Sequence, residues 1–321
     1  MISIIILSCT IFLFLLMVAF FALNKALKRT CWWRNIFVFT KQFSNDPTFS
    51  ESFSVVNVGS NPARFAFFYD NVLGENWSTG VQGLDFDLDI LRKYSWQLKP
   101  GAYVLLPIVP FSSVSGYLTR YSKSYSAKYA SVLGIRQGKS FTKLREGIKY
   151  LRFPLMYNWR AITYLIRDAN PDNRLNQIEQ QLQLYEMENN AEWWMSMWKK
   201  EFSICDWESM LPDHLKEGRV KSILMMSELI EYIQENGFKP VIVSPPMSNS
   251  LCSMFTPLIK DTYIYSFVKS IQNKYNVLYL DYLDDKDLQD PQLYFNALFM
   301  NLRGRKLFTR RVLTDLNIIT T

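Results

Sequence analysis

The chain has 321 residues, 49% of them hydrophobic and 20% charged, with a formal net charge of +7. That apolar content can fill a substantial core and excludes a largely disordered chain. Lys25, Lys28, Arg29, Arg34 and Lys41 precede the first acidic residue, Asp46, and the remainder holds 31 basic against 29 acidic residues, so the charge reads as a juxtamembrane patch and no nucleic-acid partner is expected.

Ile2 to Leu23 carries no charged side chain and matches the ~20 apolar residues that cross a bilayer as a helix. A signal-peptide core would be shorter, and no Ala-x-Ala cleavage site follows. Residues 1–23 therefore predict a retained single span, and residues 24–51 a basic linker suited to anionic lipid headgroups. Trp32 and Trp33 fit an interfacial aromatic belt. Basic residues on the C-terminal side of a span favour a cytoplasmic main domain. The four cysteines are Cys9, Cys31, Cys205 and Cys252. They form no framework, and Cys205 and Cys252 either pair in an exported domain or stay free. With one histidine, His214, neither a zinc site nor another cofactor is expected.

From residue 52 onward the pattern alternates between strands and helices. Phe53 to Val58 reads as a short apolar strand ending at Gly59, and Pro62 to Val72 as a helix with proline at an early position. Leu84 to Leu98 has helical spacing and stops at Pro100-Gly101. Ala102 to Ile108 is a buried strand. Val220 to Asn236 is an amphipathic helix closed by Gly237. A strand at 240–244, a helix at 261–275, a strand at 276–280 and a closing helix at 304–315 complete the series. This predicts an α/β fold with a mostly parallel sheet flanked by helices. Residues 110–218 break the rhythm. They read as a helical, aromatic-rich insertion, with a Gln/Glu-rich stretch at 177–189, that covers the C-terminal edge of the sheet, where ligands bind in open α/β folds.

Four segments carry a family likeness. Gly59-Ser60-Asn61 follows the first strand. Asn76 is followed six residues later by Gln82, then by a helix beginning near Phe86-Asp87. Leu98-Lys-Pro-Gly leads into a strand and then Phe111-Ser112. Asp290 to Thr309 contains Asn296, Phe299, Asn301 and Gly304, with Phe308-Thr309 after them. In this order the blocks resemble the SGNH (GDSL-type) hydrolases and acyltransferases. The likeness is to the branch of membrane-anchored proteins from bacterial surface-polysaccharide gene clusters and, more distantly, to the D-alanylation protein family. It covers about residues 52–313; the insertion is unmatched and no Gly-x-Asn-Asp block is visible.

The resemblance implies a three-layer sandwich at 52–321 and a cleft lined by Gly59, Gly80, Gly83, Asn76, Gln82 and Asn301. It also implies losses. The nucleophile position holds Asn61, the acid position Asn296 and the base position Phe299, and a phenyl ring cannot take a proton from a serine. The implied protein is a catalytically degenerate member in a bacterial cytoplasmic membrane with its main domain outside, opposite to the positive-inside tendency. It would bind a glycan or a multi-span acyltransferase partner. Two alternatives stay open: an active O-acyltransferase or esterase using Ser60 with His214, and a structural membrane subunit. Ser60 also reads as a small turn residue and His214 as part of an ordinary helix start. Trp193, Trp194 and Trp198 either stack on sugars or pack together. The acidic residues 281, 284, 285, 287 and 290 read as a solvated loop, or as a group that orients a base or binds a cation.

Overall fold

A five-stranded parallel sheet has the order β2-β1-β3-β4-β5, with buried runs of Val, Leu and Ile in its three central strands. The strands are β1 (Phe53–Asn57), β2 (Gly74–Asn76), β3 (Leu98–Pro107), β4 (Lys239–Ser244) and β5 (Leu278–Asp281). This computed structural model describes residues 2–30, 32–34, 43–69, 74–80, 82–109, 111–117, 123–134, 141–167 and 184–320. By its contacts the chain forms two units, Met1–Lys41 with Tyr121–Asn173 and Gln42–Arg120 with Arg174–Thr321.

The second unit holds the sheet. The chain steps from β1 outward to β2, then crosses back and continues through β3, β4 and β5. Right-handed crossovers therefore put Asn61–Arg64 on one face and the helices Leu84–Tyr94, Asp213–Glu235 and Ser266–Gln272 on the other. The contacts agree: Asp213–Glu235 packs against both of its neighbours. The closing helix Leu302–Asp315 lies on the first face, with the rings of Phe308 and Phe67 5.2 Å apart. The strand order reverses between β1 and β3, which makes the C-terminal ends of these strands the switch point where such folds bind ligands.

Several boundaries differ from the sequence reading. The helix expected over 62–72 is only Asn61–Arg64, and residues 70–72 lie outside the described residues. Asn76 Nδ2 takes the carbonyls of Arg64 (3.1 Å) and Phe67 (2.9 Å), and Phe68 N bonds Thr309 Oγ1 (2.8 Å), so backbone groups that would continue the helix are already engaged. The long helix before β4 begins at Asp213 rather than Val220. The helix expected over 261–275 divides into Pro257–Lys260, a π turn at Asp261–Tyr265, and Ser266–Gln272. Cys205 and Cys252 are free thiols; Cys252 is buried and donates to the Leu283 carbonyl (3.3 Å), and burial pushes its pKa up to about 11. Cys31, Lys41 and the 177–183 part of the Gln/Glu-rich stretch lie outside the described residues.

In the first unit, the helix Ile2–Leu27 is long and apolar enough to cross a bilayer. Its side chains are exposed from Ile4 through Val18 and become buried near Asn24 and Leu27, as suits a span and not a core helix. This supports single-pass membrane association. The helices Lys123–Leu133 and Phe141–Arg152 pack on each other. Trp33 is 8% exposed and packs with Ala127 and Tyr150, so it belongs to this unit's core and not to the expected belt.

Candidate functional site

At the end of β1 the backbone turns sharply through Gly59, whose φ is +116°. A Cβ there would be strained and would also press on Ala63 Cβ at 3.0 Å, so the position calls for glycine. Ser60 caps the Asn61–Arg64 helix without a side-chain cap bond, and among the described residues its hydroxyl has no hydrogen-bond partner. Arg64 is largely buried, and burial with Arg305 nearby lowers its pKa to about 9.

Behind this turn lies a buried polar network. Asp87 Oδ1 accepts from Gly59 N (3.0 Å) and Gln82 Nε2 (2.6 Å). Gln82 also accepts from Thr79 N (2.9 Å) and donates to the Trp77 carbonyl (3.1 Å). Asn57 donates to Asn76 Oδ1 (3.0 Å) and Ser78 Oγ (2.6 Å), while its own Oδ1 is buried and without a hydrogen-bond partner. Burial raises the Asp87 carboxyl to about 7, opposed by its two donors and helped by Asp85. Of the residues predicted to line one cleft, Gly59 and Gln82 are tied through Asp87 and Asn76 is held by Asn57; the two sets meet at Trp77, whose carbonyl accepts from Gln82 and whose N–H donates to the Asn57 carbonyl. Gly80 is buried, and the Gly83 carbonyl receives Phe86 N and Asp87 N at the start of the Leu84–Tyr94 helix. The Asp87 hub was not singled out from sequence. Its signal was an acidic residue on the apolar side of that helix.

The 290–304 block comes to the same sheet edge. Asn296 Oδ1 accepts from Leu298 N (2.9 Å) and Phe299 N (2.8 Å), closing a turn. The Phe299 ring lies 5.0 Å from Phe65, 5.8 Å from Phe295 and 5.5 Å from Trp194. The positions matched to acid and base therefore do approach the β1 turn, through Phe65, but as an Asx turn and an aromatic cluster. Asn301 caps the closing helix by accepting from Gly304 N (3.0 Å). The space between Pro62, Phe65, Val109, Pro246, Leu298 and Met300 is about 10 Å³, roughly one water molecule.

The Leu184–Glu201 helix and the loop after it supply further aromatics. Phe111, buried with φ +67°, sits 5.0 Å from Trp198, 5.1 Å from Phe202, 5.3 Å from Trp207 and 5.0 Å from Tyr263. A phenylalanine in the left-handed region costs about 1–3 kcal/mol, which this cage must offset. Trp194 and Trp198 pack as expected for helical neighbours, whereas Trp193 is 54% exposed.

His214 Nε2 lies 2.9 Å from the Phe202 carbonyl. The acidic residues after β5 serve turns and ion pairs. Asp281, Asp285 and Asp290 accept from backbone N–H groups. Asp284 pairs with Lys260, and Asp285 and Asp287 with Arg311. No group of three metal-ligating side chains occurs among the described residues.

No family model matches the chain, and no curated protein matches it. What stands is a membrane-associated α/β protein in which, among the described residues, aromatic and apolar side chains gather at the switch-point edge beside a hydrogen-bonded polar network.

Proposed function

We propose that the protein is a catalytically silent SGNH-like member, anchored in a bacterial cytoplasmic membrane, that serves surface-polysaccharide assembly or O-acyl modification by binding. One feature supports the reading: at the positions that the resemblance matches to nucleophile, acid and base the chain has Asn61, Asn296 and Phe299, and Phe299 packs with Phe65, Phe295 and Trp194. An acyl transfer needs a base within hydrogen-bond reach of the attacking oxygen. The only unaltered hydroxyl at the turn, Ser60, has no such partner. The cavity between Phe65, Val109 and Met300 holds about 10 Å³, which supports recognition by surfaces such as the exposed Trp193 and favours a protein partner, such as a multi-span acyltransferase, over a sugar held in that cavity. The reading places the α/β unit outside the cell.

A serine-directed fluorophosphonate probe tests this on the purified full-length protein. The expected result is no labelling of the folded wild type. Labelling that disappears in both Ser60→Ala and His214→Ala would establish the alternative, an active enzyme using that pair.

A further inference from the structure

The first unit carries a second membrane-directed feature besides its span. Met1–Lys41 and Tyr121–Asn173 together hold 15 basic and 3 acidic residues, while the rest of the chain holds 21 basic and 26 acidic. The positive charge of the protein is therefore confined to this unit, and ten of its cations lie in the 121–173 segment rather than beside the span.

That segment is fixed to the end of the span helix. The Phe153 ring lies 5.7 Å from both Phe20 and Phe21. Asn24 Oδ1 accepts from Leu155 N (3.1 Å), and Lys28 Nζ donates to the Arg152 carbonyl (3.1 Å). At 1.5 Å per residue, Ile4 to Phe21 covers about 26 Å, close to the hydrocarbon thickness of a bilayer. Phe153 and Leu155 pack at the C-terminal end of that stretch, where a bilayer centred on Ile4 to Phe21 would end.

Beyond them the chain turns through Pro154–Tyr157, Trp159–Thr163 and Tyr164–Arg167. Here apolar side chains recur every three or four residues and face outward: Met156 is 65% exposed, Trp159 72%, Ile162 39% and Ile166 85%. Tyr164 stacks on Trp32 (5.0 Å) and the Arg160 guanidinium lies over the Trp159 ring (5.7 Å). Lys25, Arg29, Lys149, Arg152 and Arg160 are exposed around this surface. Exposed apolar residues in such a row need a covering surface. Trp and Tyr with flanking Lys and Arg are the side chains that settle at the headgroup level.

We propose that residues 154–166 form a lipid-facing foot, lying in the interfacial layer of the leaflet from which the span emerges, with the surrounding cations on anionic phospholipid headgroups. The occupant is the bilayer itself, because the patch is continuous with the span through Phe153 and Asn24. The inference does not rest on the reading of the α/β unit. The foot would hold the unit against the membrane by a second contact, which a flexible linker could not do.

The test uses the full-length protein in lipid nanodiscs of phosphatidylcholine with phosphatidylglycerol. A fluorescent amino acid is placed by codon reassignment at Ile166, at Phe14 within the span, and at Met210, which is 88% exposed in the other unit. At position 166 we expect quenching by nitroxide-labelled lipid and several-fold weaker quenching by aqueous iodide than at position 210. Position 14 supplies the membrane standard. Iodide quenching at 166 equal to that at 210, or no quenching there by labelled lipid, would overturn the proposal. Shielding at 166 should weaken when phosphatidylglycerol is omitted. Unchanged shielding would overturn the assignment of the cations to anionic headgroups.

Discussion

Replacing Gly304 with alanine is expected to lower the melting temperature of the protein by about 6 °C or more, which corresponds to roughly 3 kcal/mol at this chain length. A Cβ at this position would stand 2.2 Å from the Leu293 carbonyl oxygen and 3.0 Å from Leu293 Cβ. The obstructing atom is backbone. It is also engaged, because the same carbonyl accepts from Asn301 N (3.0 Å). Relief would require the closing helix to withdraw from the turn at 293 and to lose the Asn301 cap on Gly304 N. The gain in helix propensity from glycine to alanine, about 1 kcal/mol, is too small to offset that. A melting temperature within 1–2 °C of the wild type, a shift of under about 1 kcal/mol, would show that the helix seats differently. The result bears on the likeness itself. Asn301 and Gly304, which the resemblance would place in a catalytic block, each have a structural reason to be present: one caps the closing helix and the other lets it approach Leu293.

The second large effect concerns Asp87. Its carboxyl titrates near 7 in the folded chain against an ordinary 3.8, because burial penalises the charge more than its two donors favour it. Between those two values the folded chain binds more protons than the unfolded chain. Stability is therefore fully present below 3.8 and falls as pH rises through 7. From pH 5 to pH 8 the loss attributable to this group is about 3 kcal/mol. Asp87→Asn keeps an acceptor for Gly59 N and Gln82 Nε2 but cannot ionise, so it should flatten the pH dependence in denaturant unfolding and raise stability at pH 8. Asp87→Ala, in contrast, leaves Gly59 N and one of the two Nε2 hydrogens of Gln82 without their acceptor and should destabilise by about 3 kcal/mol at pH 5. An Asp87→Asn variant with the wild-type slope would place the titrating group elsewhere.

Much of this architecture was legible in the sequence because it rests on strong periodic signals. β1 and β4 are short apolar runs with little ambiguity, β3 starts at Leu98 where the helix was expected to end, and Gly237, with φ +75°, ends the helix before β4 as its position implied. The span was legible from length and apolarity alone. β2 was not, because Gly74-Glu75-Asn76 has no strand propensity; it pairs with Val55 to Asn57 because the sheet edge is there and because Gly74 leaves room for the Tyr69 ring. The early end of the helix after Gly59 was equally hidden, since it depends on Asn76 and Thr309, distant in sequence.

The candidate site shows the same division. Its members could be aligned by spacing, and Asn76, Gln82, Asn296 and Asn301 all make specific hydrogen bonds. The joining of Gly59 and Gln82 through Asp87 could not be read from spacing, because the fold brings them together. Nor could the aromatic seal: Phe65, Trp194, Phe295 and Phe299 come from three separate segments and meet only in the fold. The cations of the first unit were overlooked because they are spread thinly from 123 to 167. They became a feature only when contacts grouped that segment with the span. Trp159, not Trp33, proved to be the exposed tryptophan there.

The proposed function holds that the β1 turn and the 296–301 segment correspond to a hydrolase edge silenced at three positions. The most direct measurement is fluorophosphonate labelling of the full-length triple variant Asn61→Ser, Asn296→Asp, Phe299→His. The account predicts labelling at position 61 in the triple variant, none in the wild type, and none when Phe299→His is omitted. A triple variant that melts like the wild type and still does not label would contradict it.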